Sequence, residues 1–583
     1  MLRHNDRRRG ARRAALLTAT VGLFVATEAH AVTILTGGRT GNQTWTPAGS
    51  PYIIQGDLTV QTGATLTIQP GTVVQFAATD MQGSGINPAR VELIVDGTLD
   101  VAGTATSLVT FGAQTGTAPG TWQGVVINAG GVATTSNLAI SHAVEGVRTG
   151  ATGASAVQVR DTMIANSSTT GIVITGGTPL FERVYVSSTG ATGVGITGAS
   201  ATLNNVSVSG SSSVAVSISS ITGNTNTLNN CLVYGNAGTG VYVTGNGGVV
   251  NVNGSTVHGS GGSNVSLYST SSGSTIALNV TNSIVTQGRY NISRDYYYGT
   301  LNTTYSDVWG ATSANFYSGV GSTPGAGAGT LSVNPLYATP GSNFRLTSNS
   351  PARFAGSAGA DLGALPYVSD ATPGLYGTLW TNTRLTLAGS PYTIPGDLTV
   401  GPNVTLTVDP GVQMVFAASD IMGGNLNATR AELIVKGTLT AVGTAASPVA
   451  MRCATTTPGC WYGVAVSVSR AASPTTIEHV TIASGTVGLT YEAGAATMRN
   501  IAIGDSSQTG VSIISNNPTL SRVQVRGATP TGISIVGTGA TIDDSIVAGS
   551  TTVAVSISSV SGAATRLTNC LVYGRGTGVY VTG

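Results

Sequence analysis

The sequence predicts an all-β solenoid, a parallel β-helix whose coils span 22–25 residues, on three observations. They are a composition that favours strands, a short repeat with two phase-locked markers, and a longer repeat of about 340 residues that encloses it. Gly accounts for 81 of 583 residues and charged residues for only 8%, while Val, Ile and Leu return at alternate positions. So much Gly, Thr and Val disfavours helix, and the recurring apolar residues set the chain apart from disordered sequence.

The short repeat is a small residue followed by an alternating apolar pair. "GIVI", "GVGI", "AVSI", "GVYV" and "NVSL" begin at Gly171, Gly193, Ala215, Gly240 and Asn264, and the pattern returns at Gly488, Gly510, Gly532, Ala554 and Gly578. A second marker lies three residues before a strand Val or Ile. Its members are Asp161, Arg183, Asn205, Asn230, Gly254 and Asn282, then Asn500, Arg522, Asp544 and Asn569. Two markers that keep one period of 22–25 residues are the signature of a repeat architecture. Period-2 alternation makes the repeated pieces strands, so three short strands and three turns fill one coil. Successive coils then stack at the strand spacing of about 4.8 Å. The second marker is expected to form a side-chain ladder at a turn, with ion pairs where Asp161 meets Arg183 or Arg522 meets Asp544.

The long repeat is legible as text. "AGSPYIIQGDLTV" at 48–60 returns as "AGSPYTIPGDLTV" at 388–400, and "ARVELIVDGTL" returns as "TRAELIVKGTL". The offset drifts only from 340 to 338. The domain expectation is therefore a β-helix unit at 32–370 with a closing segment at 333–367, and a second unit at 371–583. The second copy stops at the counterpart of Gly245 and is expected to be incomplete.

Residues 1–31 combine an Arg-rich head, an apolar run from Ala14 to Ala26 and Ala29-His30-Ala31, which reads as a secretory signal cleaved after Ala31. A secreted or cell-surface location follows as an expectation. No later segment has the 18 consecutive apolar residues of a membrane helix. The leader carries six Arg against Asp6 and Glu28, so the net charge falls from +2 to −2 without it. With Lys436 the only lysine, electrostatic binding to nucleic acid is disfavoured. Cys453 and Cys460 are close enough in sequence to close a small disulfide loop in an oxidising compartment, while Cys231 and Cys570, in two copies of "NCLVYG", read as core residues.

Taken together, "GDLTVQTGATLTIQPGTVVQFA", "ELIVDGTLDVAGTA", "WQGVVI" and the coils that follow resemble the exported right-handed parallel β-helix proteins of bacteria, with the pectin-lyase-like fold. The stretch "VNPLYATPGSNFRLTSNSPARFAGSAGADLGALPY" is similar to the closing segment such proteins often carry. The resemblance implies the fold, and it opens several functions, because the fold hosts lyases, hydrolases, epimerases and adhesins.

A pectate-lyase-like site would need several carboxylates converging on Ca²⁺ and an Arg base. Asp57, Asp80 and Glu92 recur as Asp397, Asp420 and Glu432, with Arg90 recurring as Arg430. That recurrence suits either a repeated metal or sugar site or plain turn chemistry with Arg and Glu as neighbours, and the turn reading is preferred. A polygalacturonase-like site would need an Asp-Asp pair and a Gly-His-Gly. Asp543 and Asp544 are the only adjacent Asp pair, and no Gly-His-Gly occurs. His142, His258 and His479 read as turn or surface residues, and no metal or cofactor is expected from the residues themselves.

One stretch departs from its surroundings. "GRYNISRDYYYGTLNTTYSDVWG" gathers Tyr290, Tyr296, Tyr297, Tyr298, Tyr305 and Trp309 beside Arg289, Arg294 and Asp295, in a chain that is 5% aromatic. Aromatic faces with polar edges suit sugar rings. The competing reading is that these rings close the apolar end of the coil stack. The leading functional expectation is a non-catalytic scaffold that binds polysaccharide or cell-surface components. The alternatives are a polysaccharide lyase or hydrolase using Arg294 and Asp295, and a structural stalk.

Overall fold

The computed structural model describes residues 32–150, 154–219, 221–370, 374–467, 474–558, 564–574 and 576–582; the expected leader at 1–31 lies outside them. Alternation sets the first level of structure. In one coil the strands Thr202–Asn204, Ser207–Ser209 and Val214–Ser219 turn Leu203, Val208, Val216 and Ile218 inward, where each is buried. Their neighbours Thr202, Asn204, Ser207 and Ser209 stay half-exposed. Each inward residue then pairs in parallel with its equivalent one coil on: Leu203 with Leu228, Val208 with Val233, Val216 with Val241. Burying each such side chain is worth about 1.5–3 kcal/mol before conformational entropy is subtracted.

Repetition of this coil builds three parallel sheets. Sheet 1 holds 12 strands from Thr33–Leu35 to Asp307–Trp309, sheet 2 holds 12 from Gly38–Thr40 to Ala314–Ser318, and sheet 3 holds 11 from Gln43–Trp45 to Thr300–Thr304. A second solenoid follows. Its counterpart of sheet 2 has nine strands, from Gly377–Leu379 to Thr577–Thr582, and its other two sheets join into one because Thr475–Ala483 and Ala496–Gly504 run through the corner unbroken. No described helix is long and apolar enough to cross a membrane.

The corners explain the second marker. Asp161, Arg183, Asn205, Asn230, Asn282, Asn500, Arg522, Asp544 and Asn569 all hold φ between 47° and 55°, and Gly254 holds 53°. This left-handed conformation, open mainly to Gly, Asn and Asp, swings the chain from sheet 3 into sheet 1. The side chains link in part. Arg183 meets Asp161 at 2.8 Å, and Asn569 donates to Asp544 at 3.2 Å. Arg522 departs from expectation: its Nε donates to Asn500 Oδ1 at 2.7 Å, one coil back, instead of pairing with Asp544. A second left-handed column, not anticipated, turns sheet 1 into sheet 2 at His142, Asn166, Ser188, Gly210, Gly235, Gly259 and Gln287. His142 belongs to this column and His479, at φ 50°, to the first, so the two histidines serve different corners.

Close packing explains the first marker. A Cβ on Gly193 would lie 2.3 Å from Val208 Cγ1 and 2.6 Å from the Ala215 carbonyl, so the residue at this position of that coil must be small. Further along, the position is taken by buried amides that satisfy one another: Asn264 donates to Asn291, and Asn291 to Asn315, both at 2.8 Å. Beside them a serine ladder runs through the interior, with Ser255, Ser283 and Ser306 accepting in turn from the N–H of Cys231, Ser255 and Ser283. Cys231 is buried as expected of a core residue, whereas Cys570 in the outermost described coil is only half-buried. Cys453 and Cys460 are joined in a disulfide with Cα atoms 6.0 Å apart.

The segment after sheet 2 folds back over the outer face of sheet 1. Its hairpin, Tyr337–Thr339 against Asn343–Leu346, packs Tyr337, Phe344 and Leu346 on Ile284, and Leu362 further along joins the same cluster. His258 lies beneath it, in edge contact with Tyr337 and Phe344. This corrects its reading as a turn or surface residue, and burial pushes the imidazole down to about 4.

The left-handed corner gives a sharp test. Asn205→Val should destabilise the chain by about 1–2 kcal/mol, the cost of a β-branched residue at positive φ, while Asn205→Gly should stay within a few tenths. Denaturant unfolding of the two variants reads the difference.

Candidate functional site

Because side chains alternate along a strand, the outer face of sheet 2 displays one residue per coil in a row parallel to the solenoid axis. In the last four coils of the first unit that row reads Tyr242, Ser266, Ser293 and Tyr317, and further tyrosines line its margins. Tyr242 lies 6.2 Å from Tyr268, and Tyr268 lies 5.0 Å from Tyr296 in an edge contact. Tyr290 stacks on Tyr317 at 4.0 Å, with the Arg289 guanidinium 5.2 Å from the Tyr290 ring. Tyr296 and Tyr297 are 39% and 60% exposed, and Tyr298 packs beside Tyr297.

The strip is therefore a set of tyrosine rings on the outside of the wall. The apolar end of this stack is filled instead by the partly buried Leu301 and Phe316. Polar groups edge the rings. Asp295 accepts from Ser266 Oγ at 2.9 Å, and Arg294 is held by the carbonyl and hydroxyl of Ser322. The Tyr242 phenol is raised, mainly by burial, and that of Tyr268 is raised chiefly through its hydrogen bond with Tyr296.

Two of the residues singled out by sequence lie elsewhere. Trp309 belongs to sheet 1 and faces Gly423 of the second unit, and Tyr305 sits at φ 45° in the corner column. Conversely, Tyr242, Tyr268 and Tyr317 complete the strip although they lie 20 or more residues from Tyr297 in sequence. The signal that would have found Tyr242 was its outward parity in "GVYV".

The recurring carboxylates form a second constellation, and their partners identify what they do. Asp80 Oδ1 accepts the N–H of Asp57 and of Gln82, and Asp57 Oδ1 accepts the N–H of Glu92. Ser84 donates its hydroxyl to Asp57 Oδ2 at 2.6 Å, and Glu92 accepts the N–H of Ile86 and Asn87. The second unit repeats the scheme, with Asn425 Nδ2 taking the place of the Ser84 hydroxyl on Asp397 at 2.7 Å. These acids staple the loops 78–91 and 418–431 through backbone amides.

Arg90 is not paired with Glu92; it donates to the carbonyls of Ala78 and Thr121. Asp57, Glu92, Asp397 and Glu432 are all buried, and burial raises every one of them, Asp397 to about 9 and Glu432 to about 8. Among the described residues no group of three His, Cys, Asp or Glu side chains has metal-holding geometry. Asp543 lies at the end of its strand and Asp544 at the following corner.

The architecture is that of a right-handed parallel β-helix: residues 123–281 match the family model described as the right handed beta helix region. No curated protein matches the chain. Among solved structures, a mutant form of the PL6 family alginate lyase AlyGC is similar at 9% identity over 95% of this chain and 98% of that one, with a TM-score of 0.14. A structure of AlyGC itself is similar at 9% identity over 90% and 100%, with a TM-score of 0.15.

The buried carboxyl pairs make stability fall with pH. Asp397 and Glu432 keep their protons in the folded chain up to about pH 9 and 8, whereas the unfolded chain releases them near 3.8 and 4.5. The stability they contribute is complete below about pH 4 and is lost as pH climbs through the folded values. Calorimetry should show the melting temperature falling between about pH 5 and 9, with a shallower slope in Glu432→Gln.

Proposed function

We propose that the chain is an exported, non-catalytic scaffold that binds polysaccharide along the tyrosine strip of sheet 2. The observation that carries this reading is the group Tyr242, Tyr268, Tyr296 and Tyr297 on the outer wall, with Tyr296 and Tyr297 exposed, Tyr242 and Tyr268 half-exposed, and the Asp295 carboxylate beside them. Stacking on such rings supplies apolar contact to the faces of sugar units, and the hydroxyls and Asp295 supply polar edges.

A lyase or hydrolase would need carboxylates turned toward the substrate. The acids that do converge, Asp57 with Asp80 and Glu92, already accept from loop amides, and Asp57 and Glu92 are buried. Secretion is part of the proposal and rests on the Arg-rich, apolar, Ala-x-Ala pattern of residues 1–31.

The test is a polysaccharide panel on the full chain, including neutral and uronate polymers, with unsaturated product followed by absorbance. Tyr297→Ala and Tyr296→Ala should each weaken binding about five- to tenfold, or about 1–1.4 kcal/mol, with unchanged thermal unfolding. Product release would overturn the non-catalytic reading, and full affinity in the double variant would remove the strip from the binding site.

A further inference from the structure

The segment 333–367 grips both units. On the first it lies over the outer face of sheet 1, where Asn282 accepts the N–H of Ser357 on its Oδ1 at 2.8 Å and that of Gly363 on its carbonyl. The Thr256 hydroxyl accepts from Ala364 N–H at 3.0 Å. On the second, Asn334 bonds the carbonyls of Ile421 and Met422, and the carbonyls of Asn349 and Ser350 accept from Thr378 N–H and Trp380 Nε1, both at 2.8 Å. Whatever loosens this segment therefore loosens the junction.

Two ionisable groups lie beneath it on sheet 1. His258 Nδ1 is 2.9 Å from the Thr286 hydroxyl, which is 3.2 Å from the Tyr337 phenol, and the rings of Tyr337 and Phe344 cover the imidazole. Asp307 is fully buried. Its Oδ1 accepts the N–H of Val333 at 3.1 Å, and its Oδ2 has no partner among the described residues. The titratable groups that face the pair are phenols: Tyr234 from the strand beside His258, and Tyr337 from the segment, raised chiefly by burial and further by Asp307. The charged side chains of the segment are engaged elsewhere. Arg345, Arg353 and Asp361 bond its own backbone, and Asp370 accepts from Ser348 N–H. With no counter-charge at hand, burial favours the neutral form of each group, taking the imidazole down to about 4 and the Asp307 carboxyl up to about 8.

We propose that the segment is a proton-operated clasp: it holds the second unit against the first while His258 and Asp307 are uncharged beneath it, and it releases when Asp307 ionises. On release Asp307 meets water and gives up its proton at any pH above about 3.8, while His258 takes one up at any pH below about 6.5. Between about pH 4 and 6.5 the two exchanges cancel, and the clasp is indifferent to pH. From about 6.5 to 8 only the Asp307 proton is still lost, so each pH unit favours release tenfold, about 30-fold in all. Above about 8 the covered carboxyl is itself ionised and the effect is complete. Release uncovers Tyr234 and Ile284 and frees the second unit from this anchor. The inference is independent of the tyrosine strip on sheet 2.

Hydrogen exchange of the full chain, corrected for the intrinsic rate at each pH, reads the clasp at the amides of Val333, Gly363 and Ala364. Protection should be level from about pH 4.5 to 6 and fall about 30-fold between about 6.5 and 8, while the core amide of Val216 keeps its protection. Asp307→Asn should reverse the slope, with protection climbing by up to about 300-fold between about pH 4 and 6.5 and level above. His258→Gln should instead extend the fall, from about pH 4 through to 8. Level protection in the parent chain between pH 6.5 and 8, or an unchanged response in Asp307→Asn, overturns the proposal. So does loss of protection at Val216 in step with the segment, which would assign the change to unfolding of the whole unit. The Asp307→Asn comparison decides the matter by itself if His258→Gln fails to fold.

Discussion

Each inward side chain of this protein rests on the equivalent side chain of the next coil, and almost everything else depends on that in-register contact. The rows Ile172, Val194, Val216, Val241, Val265 and Ile292, and Ile164, Val186, Val208, Val233 and Val257, are continuous aliphatic columns. The interior amides Asn264, Asn291 and Asn315 and the serines Ser255, Ser283 and Ser306 form runs in which each residue bonds its neighbour in the adjoining coil, while buried Asn226 is satisfied by the backbone of Ala199 and Ala201. The same register projects outward, so a property that recurs once per coil becomes a stripe. The left-handed corner column from Asp161 to Asn282 is such a stripe.

The architecture was legible because a period survives in sequence even when the residues holding it change. Asp, Arg, Asn and Gly alternate at one corner, yet their spacing reveals a single backbone conformation. What stayed hidden was mostly lateral. Nothing local to "GVYV" says that Tyr242 meets Tyr268 of the next coil, and nothing in "DVW" says that Trp309 turns toward Gly423. The carboxylates were ambiguous for a related reason. Their recurrence marked importance, but only the loop amides they accept show that the importance is structural. The path of 333–367 over the outside of sheet 1 was equally invisible, because it depends on where a long irregular segment finds apolar surface.

The acid-stapled loop also explains how one unit follows another. Asp420 shapes the loop that holds Met422 buried against Val333 and Leu336, while Asn334 bonds the carbonyls of Ile421 and Met422. In the first unit the residue aligned with Met422 is the exposed Gln82. One loop design serves in the first unit with a polar residue and at the junction with an apolar one.

The offset between the two copies carries an evolutionary consequence of the alternating wall. It is 340 at Ala113 and Cys453, 339 at Trp122 and Trp461, and 338 at Gly240 and Gly578. Single-residue losses fall in 114–121 and 235–239, between strands, and between them the offset rises to 342 at Gly146 and Gly488 before returning to 339 at Gly171 and Gly510. A deletion inside a strand would exchange its buried and outward residues for the whole coil, whereas a deletion in a connecting loop leaves the parity of every strand intact. Divergence after duplication has therefore been channelled: the loops record change in length, and the strands record change only in kind.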